Sequence, residues 1–160
     1  MPLKVTKSEI KEWLNEFFGK KILYVGIGNV LKSDDGVGVY ISRRINQTAS
    51  TSTLTVEVSI ENYIGKINAI KPDILILIDC MDLQKSPGAY GIFKIDNVVD
   101  YTFNTHNISL NRLGDFFDMP TFILGIQPEK IEFGENLSSV VQKSADNILL
   151  LINEKEVSYG

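Results

Sequence analysis

Hydrophobic residues recur along this chain in two alternating rhythms, one of helical period and one of strand period. Ile10, Trp13, Leu14, Phe17 and Phe18 fall at i, i+3, i+4, i+7 and i+8. That spacing predicts an amphipathic helix over 8–18, with Ser8 or Thr6 to cap it and Gly19 to stop it. Its aromatic face is expected to pack on the core. Residues 21–26 then read as a first strand, buried on both faces. Val37, Tyr40, Ile41 and Ile45 predict a helix at about 36–46, with Arg43 and Arg44 near its end, where cations suit the helix dipole. Alternation returns over Thr53 to Ile60, where Leu54, Val56, Val58 and Ile60 share one face and predict a second strand.

Asn62 to Lys71 predicts a short helix that stops before Pro72. The unbroken run Ile74-Leu75-Ile76-Leu77-Ile78 is what a central parallel strand covered on both sides requires, and it ends in Asp79-Cys80-Met81-Asp82. A turn at Lys85-Ser86-Pro87-Gly88 leads to a strand over Ala89–Ile95. Asp96 to Asn104 reads as irregular, and Thr105-His106-Asn107 enters a helix marked by Leu110, Leu113 and Phe117. Thr121 to Ile126 is a last strand, and Leu137 to about Glu154 a long terminal helix with Leu137, Val141, Ala145, Ile148 and Ile152 on one face. The order implies an α/β fold: one three-layer domain with a mostly parallel, twisted, five-stranded sheet and helices on both faces. The strand order would be 2-1-3 and then the last two strands, one of them antiparallel. No internal repeat or linker divides residues 1–160, which read as a single domain.

Composition narrows the function. At 44% hydrophobic and 22% charged residues the chain is an ordinary globular one. A net charge of −4 argues against the basic stripe of a general nucleic-acid binder, though a local basic patch stays open. Cys80 is the one cysteine, so no internal disulfide forms, and no Cys/His tract builds a structural zinc site. No apolar run reaches the ~18 residues of a membrane span, and no signal-peptide core follows Met1-Pro2-Leu3-Lys4. The expectation is a cytoplasmic protein with neither nucleic acid nor membrane as partner.

The chemistry concentrates between the first strand and the following helix. Gly26-Ile27-Gly28-Asn29-Val30-Leu31 supplies two glycines of a dinucleotide loop, but Leu31 stands at the third. Asp34 and Asp35 follow at once and would repel a pyrophosphate. A lone Asp ahead of a helix is more often an N-cap than a functional group. Asp79 alters that balance, because it ends the most apolar strand. In a 2-1-3 sheet the chain leaves strands 1 and 3 toward opposite faces, and the crevice this opens would be bordered by Asp35 and Asp79 alike. Two carboxylates on one cleft repel unless a cation or a proton lies between them. His106, the only histidine, would by itself be a solvated loop residue. If its loop reaches the same crevice, Asp, Asp and His make a three-ligand set for a borderline divalent ion, with positions left open. Strand alternation turns Cys80 away from Asp79, into the core.

These segments together resemble the nickel–iron hydrogenase maturation proteases, and most of all the type that serves formate-hydrogenlyase hydrogenases. The resemblance is carried by Gly26 to Leu31 with Asp34-Asp35-Gly36-Val37-Gly38, by Ile78-Asp79-Cys80-Met81-Asp82, by Thr105-His106-Asn107-Ile108-Ser109-Leu110, and by Leu124-Gly125-Ile126-Gln127-Pro128. It covers about 20–155 as the maturation-protease core, with 6–19 an extra N-terminal helix about which it says nothing. It implies Asp35, Asp79 and His106 as the metal-binding trio, with Asp35 and Asp79 as the catalytic acids, and leaves Asp34 as a structural neighbour. It implies an endopeptidase of aspartic or metal-dependent type, acting as a monomer on a hydrogenase large-subunit precursor that already holds nickel. Two mechanisms stay open at this point. Either the trio engages the nickel carried by the substrate, which the resemblance favours, or the enzyme holds another divalent ion of its own with Asp35 or Asp82 as base. A module that escorts nickel without cutting is the non-enzyme alternative.

Overall fold

A computed structural model gives the fold and describes residues 7–97 and 110–157. The elements in chain order are α1 (Lys7–Glu16), β1 (Ile22–Ile27), α2 (Val37–Ser42), β2 (Thr51–Glu57), α3 (Ile64–Ile70), β3 (Ile74–Cys80), β4 (Tyr90–Lys94), α4 (Leu110–Leu113), β5 (Thr121–Ile126) and α5 (Ser139–Val157). The sheet order is β2-β1-β3-β5-β4. β1, β2, β3 and β5 run parallel, and β4 pairs antiparallel with β5 at the edge. The α/β class, the 2-1-3 beginning and the single antiparallel strand are all as the apolar patterning predicts.

Period-two alternation in the buried strands feeds two separate cores. Ile22 and Tyr24 of β1 and Ile74, Ile76, Ile78 and Cys80 of β3 meet α1, α2 and α5 on one face. Leu23, Val25, Leu75 and Leu77 meet Ile60, Ile67 and Leu113 on the other. α1 belongs to the first layer: Ile10, Leu14 and Phe17 are buried, and Trp13 and Phe17 lie against Phe122 of β5 with ring centroids 4.8 and 5.0 Å away. The aromatic stripe of the N-terminal helix is therefore a packing surface, except for Phe18, which is exposed.

Three boundaries differ from the periodic reading, each for a local reason. β2 stops at Glu57, whose φ of 55° turns the chain out of the sheet. Val58 is thereby exposed, and Ile60 is buried from a 3-10 turn (Ile60–Tyr63) rather than from the strand. α2 is only Val37–Ser42 because residues 33–36 form a separate 3-10 turn that α2 continues. The helix before Pro72 is likewise shorter, closing at Lys71 in a left-handed conformation with its amide on the Ile67 carbonyl. Among the described residues no helix is long and apolar enough to cross a membrane.

Candidate active site

The loop after β1 is braced from within. Asn29 Oδ1 accepts the Leu31 amide at 2.9 Å, and the Asn29 carbonyl accepts the Lys32 amide at 3.1 Å. Gly28 holds a φ of 146°, open to glycine, and a Cβ there would overlap the Asp35 carbonyl oxygen. Gly38, at the start of α2, sits in the fork of the sheet: a Cβ would run into the carbonyls of both Ile27 and Ile78. These absent side chains let the segment from Asp34 to Gly38 press down between the ends of β1 and β3.

The adjacent acids divide into two roles. Asp34 is fully buried and its carboxylate is enclosed by donors from a distant part of the chain. The Glu129 and Lys130 amides donate to Oδ2 at 2.9 and 3.0 Å, the Ser138 amide to Oδ1 at 2.7 Å, and the Ser138 hydroxyl to Oδ2 at 2.8 Å. The charge also lies at the N-terminus of α5, where the helix dipole favours it. Asp34 is thus a staple between the glycine-rich loop and the β5–α5 connection, in agreement with its reading as a structural neighbour.

Asp35, 1% exposed, turns the other way and accepts the Asn29 amide at Oδ2 (3.1 Å). Neither acid caps α2, since the N-cap position is Gly36 and no side chain bonds there. The capping alternative for this pair therefore does not describe the fold. Asp79 is fully buried at the end of β3, directly after Ile78, and its Oδ1 accepts the Cys80 amide at 2.8 Å. Asp35 and Asp79 flank the same end of β3, and both bear electrostatically on the Cys80 thiol.

Cys80 faces the α2/α5 core, as alternation predicts. Burial pushes its thiol far above the usual range, and the Asp79, Asp35 and Asp34 carboxylates add to the shift in that order. The thiol accordingly stays protonated at pH 9 and inert toward thiol reagents until the protein unfolds. Iodoacetamide labelling followed by mass spectrometry checks this, and stoichiometric labelling of folded protein would contradict it.

His106 lies outside the described residues. Among the described residues no three Asp, Glu, His or Cys side chains form a metal-ligand cluster. Of the predicted trio the structure describes Asp35, in the turn that leads into α2, and Asp79, at the end of β3, both of them buried. Asp82 sits on the surface, with Oδ1 accepting the Gln84 amide at 3.0 Å, a turn-forming role that does not suit a base in the crevice.

Gln127 has a structural role that its place after the last strand does not reveal in the sequence. Gln127 is nearly buried, and its Oε1 accepts the Leu83 amide at 2.6 Å and the Lys85 amide at 3.4 Å, tying the β3–β4 turn to the end of β5. The partners of Asp34 also went unseen, because main-chain amides leave no mark in the sequence.

The sheet order β2-β1-β3-β5-β4 defines an α/β protein with a topological switch point between β1 and β3, and the buried Asp35 and Asp79 lie on the segments that leave those two strands. A family model described as hydrogenase maturation protease matches residues 58–155. A Methanocaldococcus jannaschii relative bearing that same name is 31% identical over 144 residues, covering 81% of this chain and 85% of the relative. The chain belongs to the hydrogenase maturation protease family. The hydrogenase 3 maturation protease of Escherichia coli is 26% identical over 128 residues, covering 76% of this chain and 82% of that one. The crystal structure of a NiFe hydrogenase maturation protease from Thermococcus kodakarensis superposes with a TM-score of 0.78 at 26% identity, over 90% of this chain and 97% of that one.

Proposed function

We propose that this protein is the endopeptidase that removes a C-terminal peptide from the nickel-loaded large-subunit precursor of a nickel–iron hydrogenase, with Asp35, Asp79 and His106 as the residues that engage the substrate's nickel. The observation that carries the reading is the pair of buried carboxylates, Asp35 and Asp79, flanking one end of β3 at the switch point. Burial raises the cost of ionising a carboxylate, and a divalent cation relieves it. Their oxygens, joined by an imidazole, are a donor set that suits a borderline ion and leaves positions for the ligands the ion already has.

The nickel, as part of the substrate, supplies the positive charge that selects a loaded precursor and can polarise a nearby carbonyl. The chain's own contribution is fixed by its geometry. Asp35 is oriented by the Asn29 amide and Asp79 by the Cys80 amide, so each carboxylate is held in a preset direction. A carboxylate so placed can accept the proton of an attacking water. With Cys80 buried and protonated, water rather than a thiolate is the nucleophile the site suits. The reading carries with it a monomer working in the cytoplasm, which gel filtration and cell fractionation check.

Incubating purified protein with nickel-loaded precursor and weighing the large subunit separates cutting from escort. Loss of a C-terminal peptide is the expected result; an intact mass with nickel delivered would favour the escort alternative.

A further inference from the structure

The loop between β5 and α5 is held against the glycine-rich loop by more than the Asp34 staple. The Ser33 amide donates to the Gly134 carbonyl (2.7 Å), the Gly134 amide to the Leu31 carbonyl (2.8 Å), and the Ser33 hydroxyl to the Glu132 carbonyl (2.8 Å). Lys32 and Gly134 form an isolated parallel bridge. The two loops are therefore one clamped unit, and it ends at Asp35. At its outer edge Phe133 is 87% exposed, and Leu31, whose carbonyl accepts the Gly134 amide, is 46% exposed. Phe133 thus stands in water on a loop whose position the main-chain bonds of its neighbours already fix.

We infer that Phe133, with Leu31 beside it, is a docking anchor for the protein substrate, taking an apolar patch on the surface of the hydrogenase large-subunit precursor next to its C-terminal extension. The inference rests on the proposed function for the identity of the occupant. Its position follows from continuity: the loop that carries Phe133 is bonded through Glu132 and Gly134 to Leu31 and Ser33, on the segment that leads into Asp35. A second copy of the chain fits less well. Two side chains offer far less than the ~800 Å² per partner that a stable dimer buries, whereas a rigid exposed aromatic suits a hot spot in an enzyme–substrate contact. Asp34 acquires a purpose in this scheme, since it fixes the distance between anchor and acids.

The test compares wild type, Phe133→Ser and Leu150→Ser with purified nickel-loaded precursor, following both cleavage and direct binding. Leu150 is an equally available apolar side chain, 56% exposed on α5, and lies roughly 16 Å along that helix from its first residue. Phe133→Ser is expected to raise KM and weaken binding by about tenfold, with kcat and melting temperature unchanged. Leu150→Ser is expected to behave as wild type. If wild type cuts and Phe133→Ser shows an unchanged KM, the anchor is refuted while the protease reading stands. Precursor that binds without being cut, with binding still weakened by Phe133→Ser, would remove the protease reading and leave the anchor. Wild type that fails to bind the precursor overturns the anchor as well.

Discussion

Asp34→Ala destabilises the protein by about 3–5 kcal/mol, the largest loss expected from any single surface-to-core polar change in the site. The substitution leaves the Glu129, Lys130 and Ser138 amides and the Ser138 hydroxyl without their shared acceptor. The two Ser138 donors are buried, so their hydrogen bonds would go unmade away from water, which costs far more than the bonds themselves were worth against water, while the exposed Glu129 and Lys130 segment loses its tie to the glycine-rich loop. Asp34→Asn recovers only part of this, because an amide group turned toward donors on both oxygens presents a second donor to one of them. Denaturant midpoints measure the effect. An Asp34→Ala midpoint equal to that of wild type would show that the staple does not hold the β5–α5 connection.

Asp35→Asn and Asp79→Asn have the opposite profile. Each is expected to lower precursor processing at least about 100-fold, the range over which a positioned acid or base acts, with the fold intact. Asparagine keeps an oxygen for the Asn29 amide at position 35 and for the Cys80 amide at position 79, so the local bonds survive. The melting temperature is therefore expected to change far less than for Asp34→Ala. Activity and stability thus separate between adjacent residues: position 34 loses stability, position 35 loses processing. Full processing by both Asn variants would refute the site.

The contrast between Asp34 and Asp35 marks where the sequence stops being informative. The sheet is legible because Ile74 to Ile78 can only be a doubly covered strand, and because the elements alternate around it. Asp79 is legible as a candidate for the same reason: a carboxylate ending such a run is costly to bury. That Asp34 and Asp35 take different partners is not legible, since both are acids of one 3-10 turn at 33–36 and the donors that tell them apart are largely main-chain amides from elsewhere in the chain. The end of β2 is hidden for a similar reason. A left-handed Glu57 has no compositional signature, and Val58 and Ile60 continue the alternation by coincidence. The clamp of the 128–138 loop rests on main-chain groups and on residues roughly a hundred positions apart in the chain, which no local pattern contains.

The central claim is that Asp35 and Asp79 act on nickel that arrives with the substrate. Its most direct test is the mass of the large subunit after incubation of metal-free enzyme with two precursors, one nickel-loaded and one nickel-free. Loss of the C-terminal peptide from the loaded precursor alone is the result expected here. Equal cleavage of the nickel-free precursor would contradict it.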